Sequence, residues 1–117
     1  MNININTNKE KFFLQYLNCM KPLLSDKITK QELGVLAELL YYNNEYKDLE
    51  PKARGVLIFD YDNRVKIMNK MNISYNTLGN NLLKLRKKGY LKGNLLKESL
   101  IVYPGESTSI NYNFKIS

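Results

Sequence analysis

The sequence predicts a mainly helical α+β domain in which a succession of helices is followed by a hairpin and a strand. Three observations carry that reading. Ser, Thr or Asp stands where each helical stretch begins, apolar residues recur three and four apart as far as position 88, and beyond Gly89 the period changes. The 117 residues fit one folded unit, with an N-terminal arm and helix over 1–28 and the main domain over 29–117.

Residues 1–6 read as a flexible or extended arm. Thr7 and Glu10 have capping-box spacing, in which the hydroxyl accepts from the backbone N–H three residues on and the carboxylate reaches back to the cap. They open a helix with Phe13, Leu17 and Met20 on one stripe and Phe12 and Tyr16 beside it, and Pro22 ends that helix or begins a turn after it. Thr29 and Glu32 repeat the spacing ahead of a second helix, Lys30 to about Tyr42, whose Leu33, Leu36, Ala37, Leu39 and Leu40 form an apolar face. The polar stretch 43–50 reads as a loop. Pro51 suits a first helical turn, while Gly55, Val56 and Ile58 leave the following segment open to either a short helix or a short strand. Asp60 or Asp62 caps a helix over Asn63–Met71, with Val65, Ile67, Met68 and Met71 as its apolar contacts. Asn72 tolerates the left-handed conformation that ends it, and Ser74 caps a longer helix, Tyr75–Lys88, stopped by Gly89. Tyr90 to Lys92, a Gly93-Asn94 tip and Ser99 to Tyr103 read as a hairpin. Pro104-Gly105 makes a turn, and Ile110, Tyr112, Phe114 and Ile116 alternate along a half-buried strand.

Composition excludes several functions. One cysteine and no histidine rule out an internal disulfide and a Cys/His zinc site, and Cys19 reads as a small buried hydrophobe among Leu17, Met20 and Leu23. Asp60 and Asp62 lack a third ligand nearby and suit a helix cap better than a cation site. No phosphate-binding loop, dinucleotide turn or catalytic grouping of carboxylates is present, so neither catalysis nor a cofactor is expected. The longest apolar runs are too short to span a bilayer, and residues 1–11 lack the apolar core of a secretion signal, which implies a cytoplasmic site of action in a bacterium or an infected host cell.

Charge is the most informative feature. Arg64 to Lys97 holds nine Lys or Arg and no Asp or Glu, while the rest of the chain holds nine basic and eleven acidic residues, so this one segment more than accounts for the formal +7. A one-signed basic surface on a helical pair suits a polyanion, most commonly nucleic acid. The run KLRKK also satisfies a helix macrodipole, which accounts for Arg86, Lys87 and Lys88 but leaves Lys84, Lys92 and Lys97 unexplained.

Within the segment, Ile67 and Met71 face the core from one helix, Ile73 plugs the turn, and Leu78, Leu82 and Leu85 lay the next helix across the first: the layout of a helix-turn-helix. The opposite face of the second helix carries Asn76, Asn80, Lys84 and Lys87, with Thr77, Asn81 and Lys88 beside them. Asn can read the adenine edge in a major groove, while Lys and Thr reach phosphates. With a hairpin following, NISYNTLGNNLLKLRKKGYL resembles winged helix-turn-helix domains, most of all regulators of the multiple-antibiotic-resistance type and small plasmid or phage replication and regulatory proteins. The resemblance covers about residues 30–116. It implies double-stranded DNA as the partner, with Ser74, Asn76, Thr77, Asn80, Asn81 and Lys84 facing the groove and Lys92, Asn94 and Lys97 on a wing over 90–103. The chain departs from the pattern at Met68, where a small residue is usual, and at Gly79, which weakens the recognition helix by roughly 1 kcal/mol relative to Ala.

A second reading belongs to another class. The chain also resembles small phage-encoded proteins, some of whose winged helices serve as virion parts, so a structural or assembly protein contacting other virion proteins is the alternative. Phe13, Leu17 and Met20, which lie outside the resemblance, form the expected seam of a homodimer or higher oligomer, unless the helix folds back on Leu36 and Leu40.

Overall fold

A computed structural model describes residues 9–24 and 27–101. These form α1 (Lys9–Met20), a 3₁₀ turn (Lys21–Leu23), α2 (Lys30–Glu45), α3 (Pro51–Ile58), α4 (Tyr61–Met71), α5 (Tyr75–Lys87), β1 (Leu91–Lys92), β2 (Leu95–Leu96) and a second 3₁₀ turn (Glu98–Leu100). The architecture is mainly helical with one small antiparallel hairpin. No helix among the described residues is long and apolar enough to cross a membrane.

The centre is α2. Leu33, Val35, Leu36, Ala37, Leu39 and Leu40 are all buried, which is more than one face of a helix. Such a helix must be surrounded, and α1, α3, α4 and α5 all pack on it. Its capping box is complete: Glu32 N–H donates to Thr29 Oγ1 and Thr29 N–H to Glu32 Oε1, both at 3.1 Å. The helix runs past the expected end at Tyr42 as far as Glu45, so the first part of the expected loop is helical. Asn43 and Asn44 are buried there, and Asn43 Oδ1 accepts from Arg54 Nη1 at 3.4 Å.

Along α1, Phe12, Phe13, Tyr16 and Leu17 are buried, and the helix packs chiefly on α2. The Tyr16 hydroxyl donates to the Leu100 carbonyl at 3.2 Å, tying the first helix to the chain beyond the hairpin. The residues expected at an oligomer seam pack within the single chain. Phe13 and Leu17 have 0% exposure in the single chain, and Met20 is half-buried against the same core. The second helix has enough apolar surface to occupy these side chains. Cys19, expected inside, is half-buried.

The ambiguous segment at 51–58 is helical. Gly55 and Ile58 are buried and Val56 is 62% exposed, a helical rather than an alternating pattern. Gly55 has a packing reason: a Cβ there would lie 2.7 Å from the Asn94 carbonyl oxygen, so α3 can meet the hairpin turn only without a side chain. Asp60, not Asp62, caps α4, accepting from Asn63 N–H at 2.9 Å, and the helix starts at Tyr61, two residues ahead of the expected Asn63.

The hairpin differs from its expected register. Leu91 pairs with Leu96 and Lys92 with Leu95 across a two-residue turn, so the second strand follows Asn94 directly. Gly93 has φ +63° at the first central position, where a type II′ turn requires it. Lys97 N–H donates to the Tyr90 carbonyl at 2.9 Å and closes the base. Ser99 and Leu100, assigned to a strand from sequence, lie in a 3₁₀ turn because Leu100 is buried beside Tyr16. The arm, the Thr7 cap, residues 102–103 of the expected wing and the 110–116 strand lie outside the described residues.

Two glycine substitutions should move stability in opposite directions. Gly55→Ala forces apart α3 and the hairpin turn and should lose about 1–3 kcal/mol. At Gly79 a Cβ would meet nothing within 4 Å, so Gly79→Ala should gain about 0.5–1 kcal/mol from helix propensity. Urea-denaturation midpoints of the two variants against the parent check both signs.

Candidate nucleic-acid interface

The turn between α4 and α5 is built by local hydrogen bonds. Asn72 is left-handed (φ 56°, ψ 50°), Ile73 N–H donates to the Met68 carbonyl at 3.0 Å and Asn72 N–H to the Asn69 carbonyl at 3.4 Å. This is a Schellman stop with Asn in the position usually held by Gly. Ser74 then caps α5: its Oγ accepts from Thr77 N–H at 3.1 Å and donates to Thr77 Oγ1 at 3.0 Å. A second Schellman stop ends α5, with Gly89 at φ +86° and Tyr90 N–H donating to the Leu85 carbonyl at 3.0 Å. Leu78, Leu82 and Leu85 seat the helix in the core, while Ile67 is buried and Met68, Met71 and Ile73 are half-buried around it.

With that face inward, Asn76, Asn80, Lys84 and Lys87 are brought together on the exposed side of α5, and Leu83, 50% exposed, lies among them. Lys92, Asn94 and Lys97 are exposed on the hairpin, with Lys97 Nζ 5.9 Å from the centroid of the Tyr90 ring. Lys84, Lys87, Lys92 and Lys97 form no ion pair among the described residues.

Two expected contact residues face elsewhere. Asn81 is buried, and its Nδ2 donates to Gln31 Oε1 and to the Thr77 carbonyl, each at 2.9 Å. Lys88 Nζ lies 2.6 Å from Glu32 Oε1, whose side chain is 1% exposed. Positions 81 and 88 are seven apart, hence on one helix stripe, and that stripe faces the first turn of α2. Thr77, four residues before Asn81, is half-buried on the same side, and Ser74 is exposed but engaged as the cap.

On the other side of α5, Arg64, Tyr75 and Arg86 form an arrangement that is not among the expected contacts. Arg64 Nε donates to the Phe59 carbonyl at 2.7 Å and its Nη1 to the Tyr75 hydroxyl at 3.3 Å. Arg86 Nε donates to the Gly93 carbonyl at 3.1 Å, and its Cζ lies 5.7 Å from the Phe59 ring centroid. Helical spacing held a signal, since Tyr75, Gly79, Leu82 and Arg86 recur four, three and four apart along one stripe.

Burial would by itself raise the pKa of Glu32, but the Lys88 ammonium and the Thr29 N–H donate to its carboxylate, and with the field of Lys88 and Lys84 they hold it below the ordinary glutamate range. No family model, curated protein or solved structure matches the chain.

The Glu32–Lys88 pair generates a pH-dependent prediction. A carboxyl with a depressed folded pKa contributes stability that is present above its unfolded value and lost as pH falls through the folded one. Lys88→Ala should destabilise the protein by about 2–3 kcal/mol at neutral pH, because it leaves a buried carboxylate short of a charged donor. That difference should shrink in acid, as Glu32 protonates in both proteins. Denaturation of parent and variant at pH 7 and in steps below the glutamate range checks it.

Proposed function

We propose that the chain is a winged helix-turn-helix protein that binds double-stranded DNA and acts as a regulator of transcription or replication. In this reading α5 enters the major groove and the β1–β2 hairpin lies along the backbone. The observation that carries it is the set of lysines on the exposed side of α5 and on the adjoining hairpin, Lys84, Lys87, Lys92 and Lys97, which form no ion pair among the described residues and stand next to Asn76 and Asn80. An α-helix about 10–12 Å across fits a major groove about 12 Å wide. Amide side chains in its first turns can pair with base edges, and ammonium groups nearer its end meet phosphates.

Asn81 and Lys88 have no part in that contact, since Gln31 and Glu32 hold them. The helix therefore reads bases chiefly with Asn76 and Asn80, and the lysines supply sequence-independent affinity. The four lysines neutralise about four phosphates, so log affinity should fall against log salt with a slope on the order of −4. Fluorescence anisotropy on labelled duplexes between low and physiological salt measures this slope. Lys84→Ala should weaken all duplexes alike and reduce the slope by about 1, whereas Asn80→Ala should mainly relax base preference. Absence of duplex binding at low salt overturns the proposal, and equal effects of the two substitutions on every sequence remove base reading from it.

A further inference from the structure

Arg64 and Arg86 line one cleft of about 280 Å³ beside α5, together with Phe59, Gly79 and Asn94. Each guanidinium is anchored through its Nε to a backbone carbonyl, Arg64 to Phe59 and Arg86 to Gly93. A guanidinium carries five N–H donors, so this anchoring orients the group while leaving most of its terminal donors for another acceptor. Phe59 serves both: its carbonyl holds Arg64 and its ring lies 5.7 Å from the Arg86 Cζ. Neither arginine forms an ion pair among the described residues. Two cations sharing a cleft repel each other, and an anion between them relieves that repulsion.

The chemistry selects the kind of anion. Fixed guanidinium forks match the paired oxygens of a phosphate, and their ordering has already been spent in folding. Gly79 opens the α5 side of the cleft, since even a Cβ there would meet nothing within 4 Å. The same helix carries exposed Lys84 and Lys87 on its outward side. We propose that this cleft clamps one backbone phosphodiester of the bound duplex between Arg64 and Arg86, and so fixes the register of α5 along the groove. The inference rests on the DNA-binding reading above and adds an anchoring site to it.

Anisotropy titrations of the full chain with a labelled duplex at several salt concentrations test the clamp. The set comprises the parent, Arg64→Gln with Arg86→Gln, and a charge-matched control, Lys21→Gln with Lys47→Gln, at exposed positions outside the cleft. The double arginine variant should bind about tenfold or more weakly, with a salt slope less steep by about 1, as for the loss of one phosphate contact. The control should keep the parental slope. Because both arginines also hold backbone carbonyls, a second pair of variants leaves them untouched. Gly79→Glu and Gly79→Gln both replace glycine with better helix formers, so melting should not fall. Gly79→Glu should lose about tenfold more affinity than Gly79→Gln, because its carboxylate competes for the arginines. If the parent binds but the arginine pair behaves as the control and the two Gly79 variants bind alike, the clamp is overturned and the DNA-binding reading stands. If the parent does not bind duplex at low salt, both fall.

Discussion

A 16-residue helix buried around most of its circumference cannot have its neighbours chosen by apolar contact alone, because α2 also carries four buried polar side chains, Glu32, Glu38, Asn43 and Asn44. Hydrophobic burial is non-directional, whereas a buried carboxylate or amide without a partner costs about 1–3 kcal/mol, more when charged. Three of the four are answered by three different elements. Lys88, just past α5, reaches Glu32 at 2.6 Å; Lys70 of α4 reaches Glu38 at 2.9 Å; Arg54 of α3 reaches Asn43 at 3.4 Å. These contacts set each helix's register against the spindle that the leucines make. The Glu32 contact matters most for the candidate interface, since it fixes which side of α5 is turned away from the core.

The basic segment thereby divides into three populations. Lys70 and Lys88 are committed to buried carboxylates, and Lys70 also lies 5.8 Å from the Tyr41 ring centroid. Arg64 and Arg86 are partly committed, through one nitrogen each to a backbone carbonyl. Lys84, Lys87, Lys92 and Lys97 are left to solvent. Charges of the second and third kinds form no ion pair among the described residues and add mutual repulsion to the folded state, screened beyond about 8–10 Å. A surface of that sort makes physical sense beside a polyanion.

What was legible in the sequence was mostly what is local. The Thr29–Glu32 box, the Ser74 cap and the left-handed Asn72 each depend on residues within a few positions, and each forms as read. The inward positions of α5 followed from periodicity alone. The failures are long-range. Asn81 was read as outward because its neighbours are, but its partner Gln31 lies fifty residues away and on another helix. The sequence puts Lys88 beside the outward face as a nucleic-acid contact, and Glu32 claims it from 56 residues off. The second hairpin strand, expected at 99–103, falls at Leu95–Leu96; the backbone bond from Lys97 to Tyr90 and the burial of Leu100 decide the register. The α1 stripe was legible as apolar, but whether a second copy or α2 would cover it depended on how far round α2 the burial extends.

Gly79 bears on the outward side of α5 from a different direction. Glycine within a helix costs about 1 kcal/mol relative to alanine, and at most helical positions a packing contact explains it. Gly55 has such a contact in the Asn94 carbonyl, and Gly34 has one in the Met71 methyl, which a Cβ would approach to 2.8 Å. Gly79 has none: it is exposed, lies in the middle of α5, and faces open space beside two anchored arginines. Removing the side chain there weakens the helix without improving the packing of the folded chain. A local choice that opposes stability and serves no internal contact is expected where something external must come close to the backbone. Helix α5, held by its Ser74 cap and its buried leucines, thus gives up propensity at a residue that lines the cleft of Arg64 and Arg86.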